Sequence, residues 1–185
     1  RNAGVEEIKT EDGYLIVVSY DEYREDKDVP YIVTSTNLEE GFSDKIQIAE
    51  EGRTRSRPIL MSNNELLIPF ETGYQSHEYQ AKAVIANIND LTTWNQYTLT
   101  QKGLQGNEPS IIETSEGNLF SLIRARPPYY LTTTSKDYGK TWSQVTTRTD
   151  ILTTGDPMDM IRLEDGRIIA SHEESNQNYK ANIVE

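Results

Sequence analysis

Cysteine is absent from this chain, which excludes disulfides and thiolate metal sites and leaves the compartment open. Histidine is almost as scarce. His77 and His172 stand far apart with no ligand spacing around either, so both read as structural and no metal site is expected. Long apolar runs are missing too: none approaches the ~20 residues that a membrane-spanning helix needs. Positive charge is in short supply, with 18 Lys and Arg against 30 Asp and Glu and a formal net charge of -12. So acidic a surface repels phosphates and gains nothing from counterion release, which argues against a nucleic-acid partner and suits a role in solubility. No stretch carries a helical period, and no cofactor is expected. A first methionine and a signal peptide are lacking as well. The chain opens Arg1-Asn2-Ala3, which reads as processed, trimmed or cut from something longer.

What is present is a repeat. Ser135-Lys136-Asp137-Tyr138-Gly139-Lys140-Thr141-Trp142 has counterparts at Asn87 to Trp94 and Ser35 to Phe42, at a period of roughly fifty residues. The three octets share a small polar residue first, Asp or Asn third and a large aromatic last. Asp12-Gly13, Asn63-Asn64, Glu116-Gly117 and Asp165-Gly166 keep the same beat as two-residue turn signals between apolar runs.

Each period reads as four short strands rich in Ile, Val, Tyr and Thr and bounded by Gly, Asn, Asp and Pro. First strands are expected at 5–10, 58–62, 109–114 and 158–163, second strands at 14–20, 66–71, 119–125 and 167–172. Third strands fall at 31–36, 83–88, 129–135 and, cut short, 181–185; fourth strands at 45–49, 96–100 and 144–147. Four strands per period is the pattern of a β-propeller, with blades at 1–52, 53–106, 107–154 and an incomplete 155–185.

The octet itself is a structural device. Asp137 can accept N–H groups within its own turn, and Gly139 takes a positive φ at little cost. Trp142, Trp94 and Phe42 are then expected to plug the junctions between sheets. A turn that recurs in every blade is a poor place for a catalytic acid or a calcium ligand, since those occur once. The stretch from Ser135 through Asp137, Gly139 and Thr141 to Trp142 resembles the Asp box, or BNR repeat, of sialidases and their propeller relatives. Several non-enzymatic propellers carry it, so it points to a superfamily and a fold: all-β, four-stranded antiparallel blades, a six-bladed parent of which about four are present.

The third period resembles sialidases further. Asn107-Glu108-Pro109 opens its first strand, and Arg124 ends the second, across the Glu116-Gly117 turn. A hairpin folds Glu108 and Arg124 back beside each other. In the family that glutamate takes the proton of a tyrosine nucleophile, and the arginine belongs to a triad that holds the sugar carboxylate. Both roles suit the chemistry: a phenol of pKa near 10 needs a carboxylate to draw off its proton, and a guanidinium matches a carboxylate with two prongs. The bland alternative leaves Glu108 on backbone and Arg124 in solvent. Arg126, two residues on, shares the face of Arg124 and is equally eligible.

In the second period Arg57 opens the first strand and Glu71 ends the second, at a step similar to the preceding sialidase blade. Both are expected at the propeller mouth facing substrate. Arg53, Arg55 and Arg57 together suit an anionic ligand, or else are solvated loop charges. The resemblance also implies parts this chain does not supply: an arginine and an acid/base aspartate on an earlier blade, and the tyrosine on a later one. At the place of the third triad arginine stands Lys180, which brings charge without the fork.

The expected function is exo-hydrolysis of a terminal sugar from a glycan, sialic acid foremost, with retention through a Tyr–Glu couple. Two other classes remain open. One is a neutral-sugar exo-glycosidase of the same fold, such as an exo-arabinanase using Glu71 and Glu108 as paired carboxylates. The other is a non-catalytic glycan- or protein-binding propeller. An open ring would leave sheet faces and edges uncovered, so the missing blades are expected to be absent, deleted or supplied by another chain. The resemblance implies a secreted or cell-surface location.

Overall fold

A computed structural model describes residues 6–10, 13, 15–24, 27–74, 76–153, 155–172 and 180–184. Within them the chain is built of antiparallel strands, with no helix among the described residues. The first sheet holds β1 (Glu6–Lys9), β2 (Leu15–Arg24), β3 (Lys27–Ser35) and β4 (Ile46–Gln47) in that order. The second repeats the layout with β5 (Ile59–Leu60), β6 (Glu65–Thr72), β7 (Gln80–Asn87) and β8 (Asp90–Thr98). The third has β9 (Asn107–Ser115), β10 (Asn118–Arg124), β11 (Tyr129–Ser135) and β12 (Thr146–Leu152). The fourth has β13 (Asp159–Arg162), β14 (Ile168–His172) and β15 (Lys180–Val184).

The second strands of the second and third sheets are buried from both sides. On β6, Leu66, Ile68 and Phe70 point into the cluster shared with Ile16, Val18 and Ile32 of the first sheet. Leu67, between them, points the other way, into the cluster with Leu119 and Ile123 of the third. Alternation with period two is what a pleated strand imposes, and a sheet stacked on both faces needs apolar residues at every position. β10 does the same one sheet along: Leu122 joins Ile112, Tyr130, Met158 and Met160 in the cluster facing the fourth sheet. Each fully buried side chain of this kind contributes about 1.5–3 kcal/mol. The outer strand β8 shows the contrast, since most of its residues face solvent.

The octets close the turns between third and fourth strands. In the third sheet Gly139 N–H donates to Ser135 Oγ (2.9 Å), and Ser135 Oγ–H to Asp137 Oδ1 (2.8 Å). Asp137 accepts the Thr141 N–H at 2.8 Å and the Thr141 hydroxyl at 2.6 Å. Gly139 has a φ of 82°, and a Cβ there would come within 3.1 Å of both Leu119 and Leu67. The turn thus touches two sheets. Trp142 donates its indole N–H to the Gly139 carbonyl (2.9 Å) and packs between the second and third sheets. Trp94 makes the same bond to Leu91 (2.7 Å) and packs between the first and second.

Two expectations need correction. In the second octet the aspartate that works is Asp90, not Asn89: its Oδ1 accepts the Thr92 N–H (3.1 Å) and hydroxyl (2.6 Å). Asn87 pairs with Asp90, so β8 begins inside the octet instead of at Gln96. Phe42, the third expected plug, is 51% exposed. The rule followed by Trp94 and Trp142 packs each aromatic against the sheet before its own, and no described sheet precedes β1–β4.

Candidate functional site

At the ends of the strands away from the octets, a cleft of about 750 Å³ opens between the second, third and fourth sheets. Glu108 is its centre. The register of β10 against β9 shifts between Pro109 and Asn107, leaving Glu108 as an extra residue with a φ of 45°. A bulge of this kind re-aims a side chain, and the left-handed conformation disfavours any residue with a Cβ. The surroundings hold it there. Glu108 Oε2 accepts from Arg124 Nη1 at 2.7 Å, Oε1 lies 3.8 Å from Arg55 Nε, and the Glu108 N–H donates to Glu71 Oε2 at 3.2 Å. Glu108 is 5% exposed, so its charge depends on those partners.

Arg124 also donates through Nε to the Gly155 carbonyl, which ties it to the segment leading into the fourth sheet. A second N–H on Nη1 and two on Nη2 leave an end-on approach to a carboxylate geometrically open. Arg126 and Arg55 line the same cleft, with Tyr74, His77 and Tyr79 on the β6–β7 connection and Pro157 opposite.

Glu71 sits behind Glu108. It is 1% exposed, and burial, reinforced by the nearby Glu108 charge, pushes its carboxyl up from 4.5 to about 7 despite Arg55 and Arg53. Its backbone bridges that of Arg53 with two bonds of 2.9 Å. Gly52, at a φ of 138°, lets the strands approach: a Cβ there would stand 2.6 Å from the Glu71 carbonyl oxygen. Burial, followed by Glu71 and Tyr74, pushes the Tyr79 phenol up, the opposite of what an activated nucleophile needs.

The expected cluster of three arginines is dispersed. Arg53 is buried, with Nε 2.5 Å from Asp28 and its guanidinium 3.3 Å from the centre of the Tyr74 ring. Arg55 turns to Glu108, and Arg57 reaches Asp159 on β13 at 3.4 Å, away from the cleft lining. Positions 53, 55 and 57 would share one face of a regular strand, but this segment pairs only at Arg53 and bends at Ser56, so three charges close in sequence meet three different acids. Of the expected site residues, Glu108, Arg124, Arg126 and Glu71 converge and Arg57 does not. Lys180 begins β15, and its side chain lies outside the described residues. His77, expected to be structural, lines the cleft. Tyr74, Tyr79 and the 155–157 segment gave no sequence signal, because a connection that lines a cleft carries no periodicity.

The sequence of 7–183 matches the model of the BNR repeat-like domain. The chain belongs to that family. No curated protein sequence matches it. A protein of unknown function from Dyadobacter fermentans superposes with a TM-score of 0.79 at 18% identity, over 97% of this chain and 59% of that one. The NanB sialidase of Streptococcus pneumoniae gives 0.72 at 12% identity, over 92% and 44%. An α-L-arabinanase of Penicillium chrysogenum complexed with arabinobiose gives 0.71 at 12%, over 99% and 61%. The likeness is one of fold, shared with sialidases and an arabinanase. The chain spans between 44 and 61% of the length of these three.

Proposed function

We propose that the chain forms the central part of an exo-glycosidase that releases a carboxylate-bearing terminal sugar, sialic acid foremost, from a glycan. The observation that carries this reading is Glu108, turned onto a left-handed bulge and held 2.7 Å from Arg124 in a cleft that Arg55 and Arg126 also line. A carboxylate held against guanidinium groups suits a proton acceptor beside an anionic sugar.

In this mechanism Glu108 takes the phenolic proton of a tyrosine supplied from outside the chain as the phenolate oxygen bonds to the anomeric carbon. The aglycone oxygen leaves with a proton from an acid, also from outside. Water then attacks the glycosyl-tyrosine, giving one proton to the acid's conjugate base, and Glu108 returns its proton to the phenolate. Arg124 has two tasks, holding the Glu108 carboxylate in place and meeting the sugar carboxylate with its remaining N–H groups.

The four sheets are, in this reading, four blades of a six-bladed ring. Phe42 supports it, being an octet aromatic left waiting for a preceding sheet. A neutral-sugar enzyme pairing Glu71 with Glu108 is disfavoured, because Glu71 Oε2 is occupied by the Glu108 N–H. The test is hydrolysis of a sialoside beside an arabinoside by the full-length protein. Sialoside turnover is expected. Turnover of the arabinoside alone overturns the reading, and turnover of neither makes the cleft a glycan-binding site.

A further inference from the structure

Glu71 is the most deeply buried acid among the described residues, and the mechanism above leaves it idle. An acid at such a depth needs a reason, since burial penalises its charge and pushes its proton affinity up. The geometry supplies one. Its Oε2 accepts the backbone N–H of Glu108, 37 residues away, at the point where β9 is bulged and left-handed. That N–H has no ladder partner on β10, because the register skips from Pro109 to Asn107. Glu71 is in turn fixed through both backbone groups to Arg53, whose side chain is clamped between Asp28 and Tyr74.

We propose that Glu71 is a positioning residue: it holds the Glu108 N–H and so maintains the bulge that turns the Glu108 carboxylate onto Arg124 and Arg55. This rests on Glu108 being the working carboxylate of the cleft. The charged and titratable groups facing Glu71 are Glu108 on β9, Arg53 and Arg55 before β5, and Tyr79 on the β6–β7 connection, with Arg124 on β10 and Tyr74 acting on Tyr79 in turn. Asp28 stands behind Arg53. With Glu71 neutral, its carboxyl sets no charge against Glu108 at the bulge. Ionising Glu71 places a negative charge there, so the productive state is the one with Glu71 protonated.

The test uses the full-length protein and two variants, with a readout that needs no substrate. In the native protein the Glu108 amide resonance should titrate with a midpoint near pH 7, because its acceptor is Glu71. In Glu71→Gln, which keeps an acceptor oxygen without a proton to lose, that titration should vanish. On a substrate that is turned over, native kcat should fall above pH 7, and Glu71→Gln should lose this limb while keeping kcat within about threefold. Glu71→Leu removes the acceptor; kcat should drop about 100-fold with KM little changed, since a misaimed group fails in the transition state. A Glu108 amide that does not move near pH 7 in the native protein overturns the proposal. So does a Glu71→Leu variant with native kcat, or a Glu71→Gln variant as dead as Glu108→Gln, which would put Glu71 in contact with the reaction. If no sugar is turned over, the glycosidase reading fails and the amide titration alone decides the positioning role.

Discussion

The third sheet has two ends that obey different rules. At the octet end the polar groups are satisfied locally: Asp137 bonds Ser135 and Thr141, within four residues, and stays near solvent. Burial works against the Asp137 charge, but the Thr141 and Ser135 bonds outweigh it and hold the carboxyl below its usual value. At the cleft end the partners of Glu108 lie 16 and 37 residues away, its backbone is left-handed, and a second acid is buried against it. A turn assembled from near neighbours stabilises the fold wherever it is copied. An arrangement of buried charge and disfavoured backbone persists only where tertiary structure enforces it, which is why the difference locates chemistry.

The largest expected effect is at the cleft. Glu108→Gln should leave substrate binding nearly intact and cut kcat by about 10²–10⁴, the range for losing a proton acceptor. Initial rates of the full-length protein across substrate concentrations measure it. A change confined to KM would mean that Glu108 only binds.

Next comes the pH dependence of stability. Glu71 keeps its proton to about pH 7 when folded, against an ordinary value of 4.5. It therefore favours the folded state at acid pH, and this contribution is lost as pH rises through that window. A shift of this size corresponds to roughly 3 kcal/mol. Glu71→Gln has nothing to titrate, so its melting temperature should gain on the native protein from pH 4.5 to 7 and then run parallel. Calorimetry over that range distinguishes this from a uniform offset.

The octet end should respond in stability alone. Trp142→Ala should cost about 2–3 kcal/mol, less than the ~3–5 kcal/mol of a fully buried aromatic because the ring is half-buried. Urea unfolding measures the cost, and the Glu108 amide shift should not move. Arg124→Lys should weaken a carboxylate-bearing ligand by about 1–2 kcal/mol, since an ammonium lacks the two-pronged match. Calorimetric titration with free sugar acid against its neutral analogue tells that loss from general damage. Smallest of all, Phe42→Ala should lie within about 0.5 kcal/mol of the native 185-residue chain, because the ring is 51% exposed. In the full-length protein, a cost matching that of Trp142→Ala would show that another sheet covers it.

Much of the fold was legible in the residues. The two-residue turns, the apolar runs and the octets place every sheet, because strand period and turn chemistry are local properties. The ends of strands were less so. β2 runs to Arg24, past the expected stop at Tyr20, since cross-strand pairing with β3 carries a charged hairpin outward. β8 starts within its octet because Asp90 takes over the anchoring role one residue late.

The sequence by itself determined the repeat, the alternation that buries β6 and β10 from both sides, and the hairpin that brings Glu108 to Arg124. These depend on spacing of a few to sixteen residues along one chain segment. Only tertiary structure decided that Arg53, Arg55 and Arg57 meet Asp28, Glu108 and Asp159 separately. It alone placed Glu71 under the Glu108 N–H, and it alone left Phe42 bare while Trp142 is covered. Direction in space and the presence of a neighbouring sheet are set by stacking, and stacking leaves no mark within the spacing of a single strand.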